Sequence, residues 1–325
     1  MFTKLLRYPF FCSLFLFTFA SQMPDADAAT LRVTKGGAGL TLPAAARQAR
    51  DGDVILIDPG TYASCARFRA NRLTIRASVP PNHRGPTVTV KGPACDGKAH
   101  FVIVGDAVEV SGIAFSGARV PDGNGAGIRS EGGQLTISDC HFRNNEMGVL
   151  TTNKASAVLI VKNSRFANNG RRAGRIGHAV YAGRIAQLSV VDSVFETHIR
   201  GHHIKSRART TQVVGNQIGN TGADEASYII DLPDGGGATI KDNMLFKGRK
   251  SQNRGTAIAI GFERNRNPAG EILVANNDFE NRAGANTVFV KNRTPIEVVL
   301  SGNRFVGPMR ILRGNGVRKE SKRRN

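Results

Sequence analysis

The chain has 325 residues and carries 45 lysines and arginines against 25 aspartates and glutamates, a formal net charge of +20. This excess favours a polyanionic partner, and nucleic acid and acidic glycan both qualify. The chain has no tryptophan and only four tyrosines, which does not suggest platforms for base stacking. An acidic polysaccharide is therefore the expected partner, and nucleic acid is not.

The first 28 residues have the features of a secretory signal peptide. Lys4 and Arg7 supply the positive start, residues 10–19 form an apolar stretch that is short for a membrane span, and Ala26–Ala28 is a small-residue cleavage site. The alternative interpretation is a membrane anchor. No second apolar stretch of that length follows, so we expect a periplasmic or secreted protein with no transmembrane segment after cleavage.

Three cysteines remain beyond this segment. Export permits a disulfide, and Cys65 and Cys95, which flank one strand-rich segment, are the predicted pair. Cys140 falls on a position predicted to face inward, so we expect a buried free thiol there.

A degenerate repeat organises the chain. Each unit reads apolar-x-apolar-x-turn-(Asn/Ser)-x-apolar, and seven intervals of 23 to 34 residues separate the unit ends. The ends are Phe115, Phe142, Phe166, Phe195, Ile218, Leu245, Phe279 and Phe305. Such units cannot bury an apolar face alone, so they are expected to stack into a solenoid of parallel strands.

Three columns emerge when the units are aligned. The position five residues before each end is always β-branched or leucine, which predicts an inward strand position. The turn column holds Gly, Asp or Asn, the types that tolerate a positive φ angle. The next column holds Cys140, Ser164, Ser193, Asn216, Asn243, Asn277 and Asn303, and its amides are predicted to hydrogen-bond from rung to rung.

The entrance to the repeat has a short predicted helix over residues 42–49, then Gly-Asp-Val-Ile-Leu-Ile at 52–57 and Pro-Gly-Thr-Tyr at 59–62. Together with the asparagine-rich rungs, these segments resemble the pectate-lyase-like right-handed parallel β-helix superfamily over roughly residues 30–310. The resemblance implies an all-β, single-stranded right-handed parallel β-helix with an N-terminal capping helix. We expect the β-helix domain to span 29–310 and a basic, disordered tail to span 311–325.

Polar residues concentrate between 177 and 263. Aligning the second strands of successive units places Val180, Ile204, Ile230 and Ile258 inward and Tyr181, Lys205, Asp231 and Ala259 outward in one column. Side chains two apart share a face, so His203 and Arg207 are expected to flank Lys205 on an exposed sheet.

This set suits β-elimination on a uronic acid, which requires neutralisation of the carboxylate, a base and an acid. Lys205 is the predicted neutraliser, held by Asp231, and Tyr181 or His203 the proton carrier. Arg207 or Arg209 is predicted to clamp the carboxylate. His178, His202, Tyr228 and Glu263 complete the predicted substrate-binding set, although the two histidines also suit plain strand-edge hydrogen bonds and Tyr228 suits packing.

The segment Gly-His-His-Ile-Lys-Ser-Arg at 201–207 resembles the lysine site of the chondroitinase-B and alginate-lyase branch, and Lys205 matches its lysine base. The branch carries an arginine one rung later, where this chain has Asp231. Epimerase chemistry therefore stays open beside lyase chemistry, as does a hydrolase that pairs Asp231 with Glu263 or Glu225.

A non-catalytic glycan-binding or envelope-matrix protein is the rival class, and a module that binds polyanions by charge alone is a third. We expect a monomer without a metal or other cofactor. The one calcium alternative uses Asp224, Glu225 and Asp231.

Overall fold

The computed structural model describes residues 28–79, 84–220, 222–264 and 266–319, which form 34 strands and one helix. The predicted signal peptide up to residue 27 and the last six residues lie outside the described ranges. No helix in the described ranges is long and apolar enough to span a membrane.

Three parallel sheets account for nearly all of the strands. The first sheet has 12 strands: Thr30–Val33, Val54–Ile57, Thr74–Ala77, Val108–Ser111, Gln134–Ser138, Val158–Lys162, Gln187–Val191, Thr210–Val214, Gly237–Lys241, Ile272–Ala275, Val298–Ser301 and Gly316–Lys319. The second sheet has 10: Gly60–Ala63, Val88–Lys91, Ile113–Ser116, His141–Arg143, Arg165–Ala167, Val194–Phe195, Gln217–Ile218, Met244–Lys247, Asp278–Asn281 and Arg304–Val306.

The third sheet also has 10 strands: Ala66–Phe68, Ala99–Ile103, Ala126–Ser130, Met147–Thr151, His178–Ala182, His202–Ser206, Ile230–Leu232, Thr256–Ile260, Thr287–Asn292 and Met309–Arg313. Asn169–Gly170 and His198–Ile199 pair as a small fourth sheet. Each turn of the chain adds one strand to each of the three large sheets, which is the architecture of a right-handed parallel β-helix and confirms the predicted fold class.

The interior follows the predicted columns. The inward column of the first sheet is paired in unbroken register and is 0–3% exposed: Val110, Ile137, Val161, Val190, Val213, Ile240, Val274 and Leu300. The phenylalanine ends of four units stack, with ring centroids 4.5 to 5.2 Å apart from Phe115 to Phe195. Parallel pairing places equivalent side chains over one another, so each apolar position packs on its neighbours along the axis.

The turns between the first and second sheets have the predicted geometry. The turn column adopts φ angles of +48° to +73°, for example at Asp139, Asn163 and Gly215. In the following column each Nδ2 donates to the next Oδ1, at 3.0 Å from Asn216 to Asn243 and 2.8 Å from Asn243 to Asn277. The ladder satisfies buried amides that would otherwise be costly inside the solenoid.

The N-terminal end carries the expected helix, Leu42–Gln48, whose Thr41 Oγ1 accepts a hydrogen bond from the Ala44 N–H at 3.3 Å. Its Leu42, Ala45 and Ala46 are buried and join the main hydrophobic core. The helix thereby covers the open end of the first rungs.

The C-terminal end differs from the expectation. The strands Met309–Arg313 and Gly316–Lys319 continue the third and first sheets beyond residue 310. Residues 311–319 are therefore part of the β-helix, because their backbone groups complete one more parallel rung. Arg318 and Lys319, which were assigned to a disordered end, pair with Leu300 and Ser301.

The cysteines behave as predicted. Cys65 and Cys95 form a disulfide that links the segments preceding the strands Ala66–Phe68 and Ala99–Ile103. Cys140 is buried and free, and burial raises the pKa of its thiol to about 12, so the thiol is unsuited to act as a nucleophile.

Adjacent positions of one strand provide a test of the inward and outward assignment. Val213→Asp should lower the free energy of unfolding by several kcal/mol, because a buried unpaired carboxylate is not compensated. Gln212→Asp on the exposed face of the same strand should stay within about 0.5 kcal/mol of the parent. Chemical denaturation of both variants measures this, and equal stability of the two would contradict the assignment.

Candidate active site

The predicted outward column exists on the third sheet. Tyr181 pairs with Lys205, Lys205 with Asp231, and Asp231 with Ala259. Successive strands lie about 4.8 Å apart, so the first three side chains are direct neighbours. The sequence therefore predicted which residues meet, although their degree of burial was wrong, as the next contacts show.

Lys205 lies at the centre of a buried charge network and not on an open surface. Its Nζ donates to Glu263 Oε1 at 2.8 Å and lies 3.3 Å from Asp231 Oδ2. The side chains of Lys205 and Asp231 are 10% and 4% exposed, whereas that of Glu263 is 44% exposed. Glu263 approaches from the loop after the strand Thr256–Ile260 and partly covers the lysine.

Arg207 extends this network towards Tyr181. Its Nε donates to the Tyr181 hydroxyl oxygen at 3.0 Å, its Nη1 donates to Asp234 Oδ1 at 2.6 Å, and its Nη2 donates to Glu263. Asp234 is fully buried and also accepts from Arg184 Nε at 3.2 Å. Sequence reasoning missed both residues. The Asp-Gly-Gly turn after the strand Ile230–Leu232 was the one signal for Asp234, and Arg184, after the strand His178–Ala182, had none.

Burial and the neighbouring charges in this network shift the pKa values of its ionisable side chains. Burial acts to lower the pKa of Lys205, but Asp231 and Glu263 outweigh it and raise the pKa above its usual value. Burial raises the pKa of Asp231 to about 6, although Lys205 opposes the shift. Burial would also raise the pKa of Glu263, but hydrogen bonds from Arg207 and Lys205 lower it. Lys205 is therefore a fixed cation at neutral pH, which disfavours it as an unassisted base.

His178, His202 and Tyr228 form a stack beside this column. Ring centroids lie 4.9 Å apart between the histidines and 4.8 Å apart between His202 and Tyr228. Each imidazole Nδ1 accepts a backbone N–H from the next rung, His202 N to His178 at 3.2 Å and Tyr228 N to His202 at 3.1 Å. These acceptors place the proton on Nε2, and burial holds the pKa of both histidines well below the usual range.

The Nε2 atom of His202, which carries this proton, faces Asp231 in the charge network around Lys205. Its Nε2 lies 3.4 Å from Asp231 Oδ2, the oxygen that also faces Lys205, while Asp231 Oδ1 is buried without a hydrogen-bond partner. The strand-edge hydrogen bonds anticipated for His178 and His202, and the packing anticipated for Tyr228, are thus present.

The prediction that His203 lies beside Lys205 is wrong. His203 is 1% exposed, and its Nε2 lies 2.8 Å from Asp224 Oδ2, next to the Phe195 ring in the core. Regular alternation fails within His202–Ser206, since His202 and Lys205 both reach Asp231. His203 therefore cannot carry protons for a substrate on the outer face.

His203 belongs to a second buried polar cluster that sequence reasoning did not identify. Asp224 also accepts the His198 backbone N–H at 2.9 Å, and Lys247 donates to the Ser227 carbonyl oxygen. Burial lowers the pKa of Lys247 to about 7, with Asp224 opposing the shift. His203, Asp224 and Lys247 are each 1% exposed, so this cluster lies inside the solenoid.

The remaining predicted residues do not converge on the site. Arg209 is exposed. The three acids of the calcium alternative have separate partners: Asp224 faces His203, Glu225 pairs with Arg172 at 2.9 Å, and Asp231 faces Lys205. Within the described ranges, no group of three or more His, Cys, Asp or Glu side chains could hold a metal ion.

A cleft of about 530 Å³ opens beside the network towards the earlier rungs. Its wall includes Arg129, Arg175, His178, Tyr181 and Lys205. Tyr181, whose hydroxyl is fixed by Arg207, therefore lines a cleft whose wall also carries three cationic side chains.

Comparison with known proteins agrees with this fold. The chain is similar to pectate lyase Pel9A, with 14% identity, a TM-score of 0.58 and coverage of 90% of this chain and 79% of that protein. It is also similar to a PL6 alginate lyase solved with a trisaccharide, with 15% identity and a TM-score of 0.51, of which it spans 61%. Geobacillus virus E2 ORF18 gives 14% identity and a TM-score of 0.50, and the chain spans 54% of it.

No protein-family model and no curated protein matches the chain. At these identities the three similarities show only the fold that the sequence predicted, a right-handed parallel β-helix, and they leave the reaction to be inferred from the site.

The Lys205–Asp231 pair generates a pH test. Lys205→Met should lower the free energy of unfolding by about 3 kcal/mol at pH 8, because a buried carboxylate loses its cation. Asp231 titrates near pH 6 when folded and near about 4 when unfolded, so it destabilises the protein as pH rises through this window. Removing Lys205 raises the folded-state pKa of Asp231 further, so this carboxyl group is protonated at pH 5. Lys205→Met should therefore lower the free energy of unfolding less at pH 5 than at pH 8.

Chemical denaturation at both pH values measures the difference. Lys205→Met/Asp231→Asn is the matched control, and it should remove most of the pH dependence because the carboxylate that titrates near pH 6 is gone. An equal loss for Lys205→Met at pH 5 and pH 8 would contradict the assignment of Asp231 as its buried partner.

Proposed function

We propose that this protein is an exported, carbohydrate-active enzyme that acts on a uronate-containing polysaccharide by lyase or epimerase chemistry. One observation carries the proposal: the Tyr181 hydroxyl is held at 3.0 Å by Arg207 Nε on the wall of a cationic cleft, one rung from Lys205. A phenol whose oxygen is held in a fixed position by a guanidinium, one rung from a lysine, suits proton transfer.

Both reactions begin with removal of the proton on the carbon that bears the carboxylate. Lys205 and Arg207 supply the positive charge that makes this proton acidic, and Tyr181 removes it. In the lyase outcome the bond between the glycosidic oxygen and the neighbouring carbon breaks, a double bond forms between the two carbons, and Tyr181 returns the abstracted proton to the leaving oxygen. In the epimerase outcome water supplies a proton to the opposite face of the same carbon, and Tyr181 loses the abstracted proton to solvent.

Asp231, Glu263 and Asp234 keep the cations in place in this scheme. Glu263 is the member that a substrate carboxylate can replace, since its side chain is 44% exposed and it accepts from both Lys205 and Arg207. Displacement of one carboxylate by another preserves the charge balance of the cluster, so substrate binding leaves neither cation unpaired.

Export is supported by the Cys65–Cys95 disulfide, which forms in oxidising compartments, and by the signal-like N-terminal residues. The high positive charge suits a polyanionic substrate.

A panel of uronate polysaccharides tests the proposal, assayed for unsaturated ends by absorbance and for changed uronate stereochemistry by NMR. Tyr181→Phe and Lys205→Met should each lower turnover at least about a hundredfold, the scale for losing one proton-transferring or charged group. Lys205→Arg should recover part of the activity, because the lysine acts through its charge. Salt-sensitive binding of the panel without turnover would favour the non-catalytic alternative.

A hydrolase is the second candidate, and the opposite pKa shifts of two carboxyl groups favour it. The pKa of Asp231 is raised to about 6 and that of Glu263 is lowered, the split expected of an acid and its partner. Both contact Lys205 Nζ, at 3.3 and 2.8 Å, so these two oxygens lie within about 6 Å of each other, closer than the roughly 6.5–9.5 Å between the two carboxyl groups of inverting glycosidases. New reducing ends without unsaturation, lost in Asp231→Asn and kept in Tyr181→Phe, would identify this reaction.

A further inference from the structure

A cationic patch lies further along the same face of the third sheet. The Arg293 guanidinium lies 4.2 Å and Lys291 Nζ 5.1 Å from the centroid of the Phe262 ring, so one half-buried aromatic ring supports two cations. Arg313 is on the next strand, in register with Lys291. Lys291, Arg293 and Arg313 with Phe262 are called here the Phe262 patch.

The Phe262 patch differs in charge balance from the cluster around Lys205. In that cluster Lys205, Arg207 and Arg184 meet the carboxylates of Asp231, Glu263 and Asp234, which balances three cations against three acids. No described carboxylate lies within 4 Å of a cationic nitrogen of the Phe262 patch. Its cations repel one another, and burial together with Arg293 and Arg313 lowers the pKa of Lys291.

The patch is continuous with the proposed active site. The Phe262 ring lies 5.9 Å from the Tyr228 ring, which stacks on His202, and residue 263 is the glutamate that bonds Lys205. Lys291 occupies the Tyr181–Lys205–Asp231 column, three strands beyond Lys205. Three rung spacings place the two lysine positions about 14 Å apart along the axis.

We propose that the Phe262 patch binds a second anionic group of the polysaccharide, a carboxylate or sulfate on a sugar unit away from the reacting one. This inference rests on the proposed function, because it names where the same substrate is held. Arg293 and Lys291 contact the anion, Arg313 adds long-range attraction, and Phe262 packs against the apolar face of the sugar ring.

In this proposal the Phe262 patch supplies affinity for the polysaccharide, and the cluster around Lys205 supplies the chemistry. A balanced cluster gives a polyanion little net attraction, whereas cations without acidic partners supply it. The ligand must bridge about 14 Å from Lys205 to Lys291, so only an oligosaccharide of several sugar units engages both sites. A short fragment engages one site only.

Binding of defined oligosaccharides tests the assignment. Lys291→Met/Arg293→Gln should weaken binding of a hexauronate at least about tenfold, the scale for losing a hydrogen bond to a charged group. The salt dependence of the association constant should become shallower. Turnover at saturating polymer should be retained, because uniform binding affects KM and not kcat.

Arg76→Gln/Arg143→Gln is the matched control. It removes two exposed arginines from the first and second sheets, so it makes the same change in net charge on other faces. A hexauronate and a sulfated oligosaccharide of equal length, measured in parallel, distinguish the preferred anion, because the ligand that the patch binds loses more affinity in Lys291→Met/Arg293→Gln than in the control.

Two results separate failure of this inference from failure of the proposed function. If the parent protein binds hexauronate but Lys291→Met/Arg293→Gln loses no more affinity than the control, the Phe262 patch is not a subsite and the proposed function stands. If the parent protein neither binds nor converts any acidic oligosaccharide or polymer, the proposed function fails, and the assignment of the patch fails with it.

Discussion

In-register pairing of parallel strands is the constraint on which the rest of this structure depends. Each side chain on one rung has its equivalent about 4.8 Å away on the next, so a sequence column becomes a physical row. Inside, the rows are aliphatic, phenylalanine and asparagine stacks that satisfy packing and hydrogen bonding together. On the outward-facing side of the third sheet, the same register makes neighbours of Tyr181, Lys205 and Asp231, whose strands are more than 20 residues apart in sequence.

The fixed register also limits how charged side chains can be arranged. Because the backbone holds the cations of neighbouring rungs close together, each cation either has a carboxylate partner or remains available to an anion. Around Lys205 the chain supplies carboxylate partners from a strand, a turn and a loop. Desolvating them costs free energy, and the contacts hold the cluster in a fixed geometry. At Lys291 and Arg293 an aromatic ring takes that place, and the positive charge stays available.

The sequence predicted the columns because they depend on two local properties, the period of two in each strand and the tolerance of Gly, Asp and Asn for positive φ. The same period placed Tyr181, Lys205 and Asp231 correctly. It failed at His203, where the strand departs from alternation, and it had no means of placing Glu263 and Asp234. Those carboxylates reach the site from a loop and a turn whose paths no repeat defines, and they determine how deeply Lys205 is buried.

Solvent-deuterium labelling of a uronate polymer tests the central claim most directly, since lyase and epimerase share proton removal beside the carboxylate. In deuterated water the parent protein should yield unsaturated ends, or uronate that carries deuterium at that carbon, and Tyr181→Phe should yield neither above background. Saturated fragments without deuterium at that carbon, or equal labelling by Tyr181→Phe, would contradict the role assigned to the Tyr181–Lys205–Arg207 cluster.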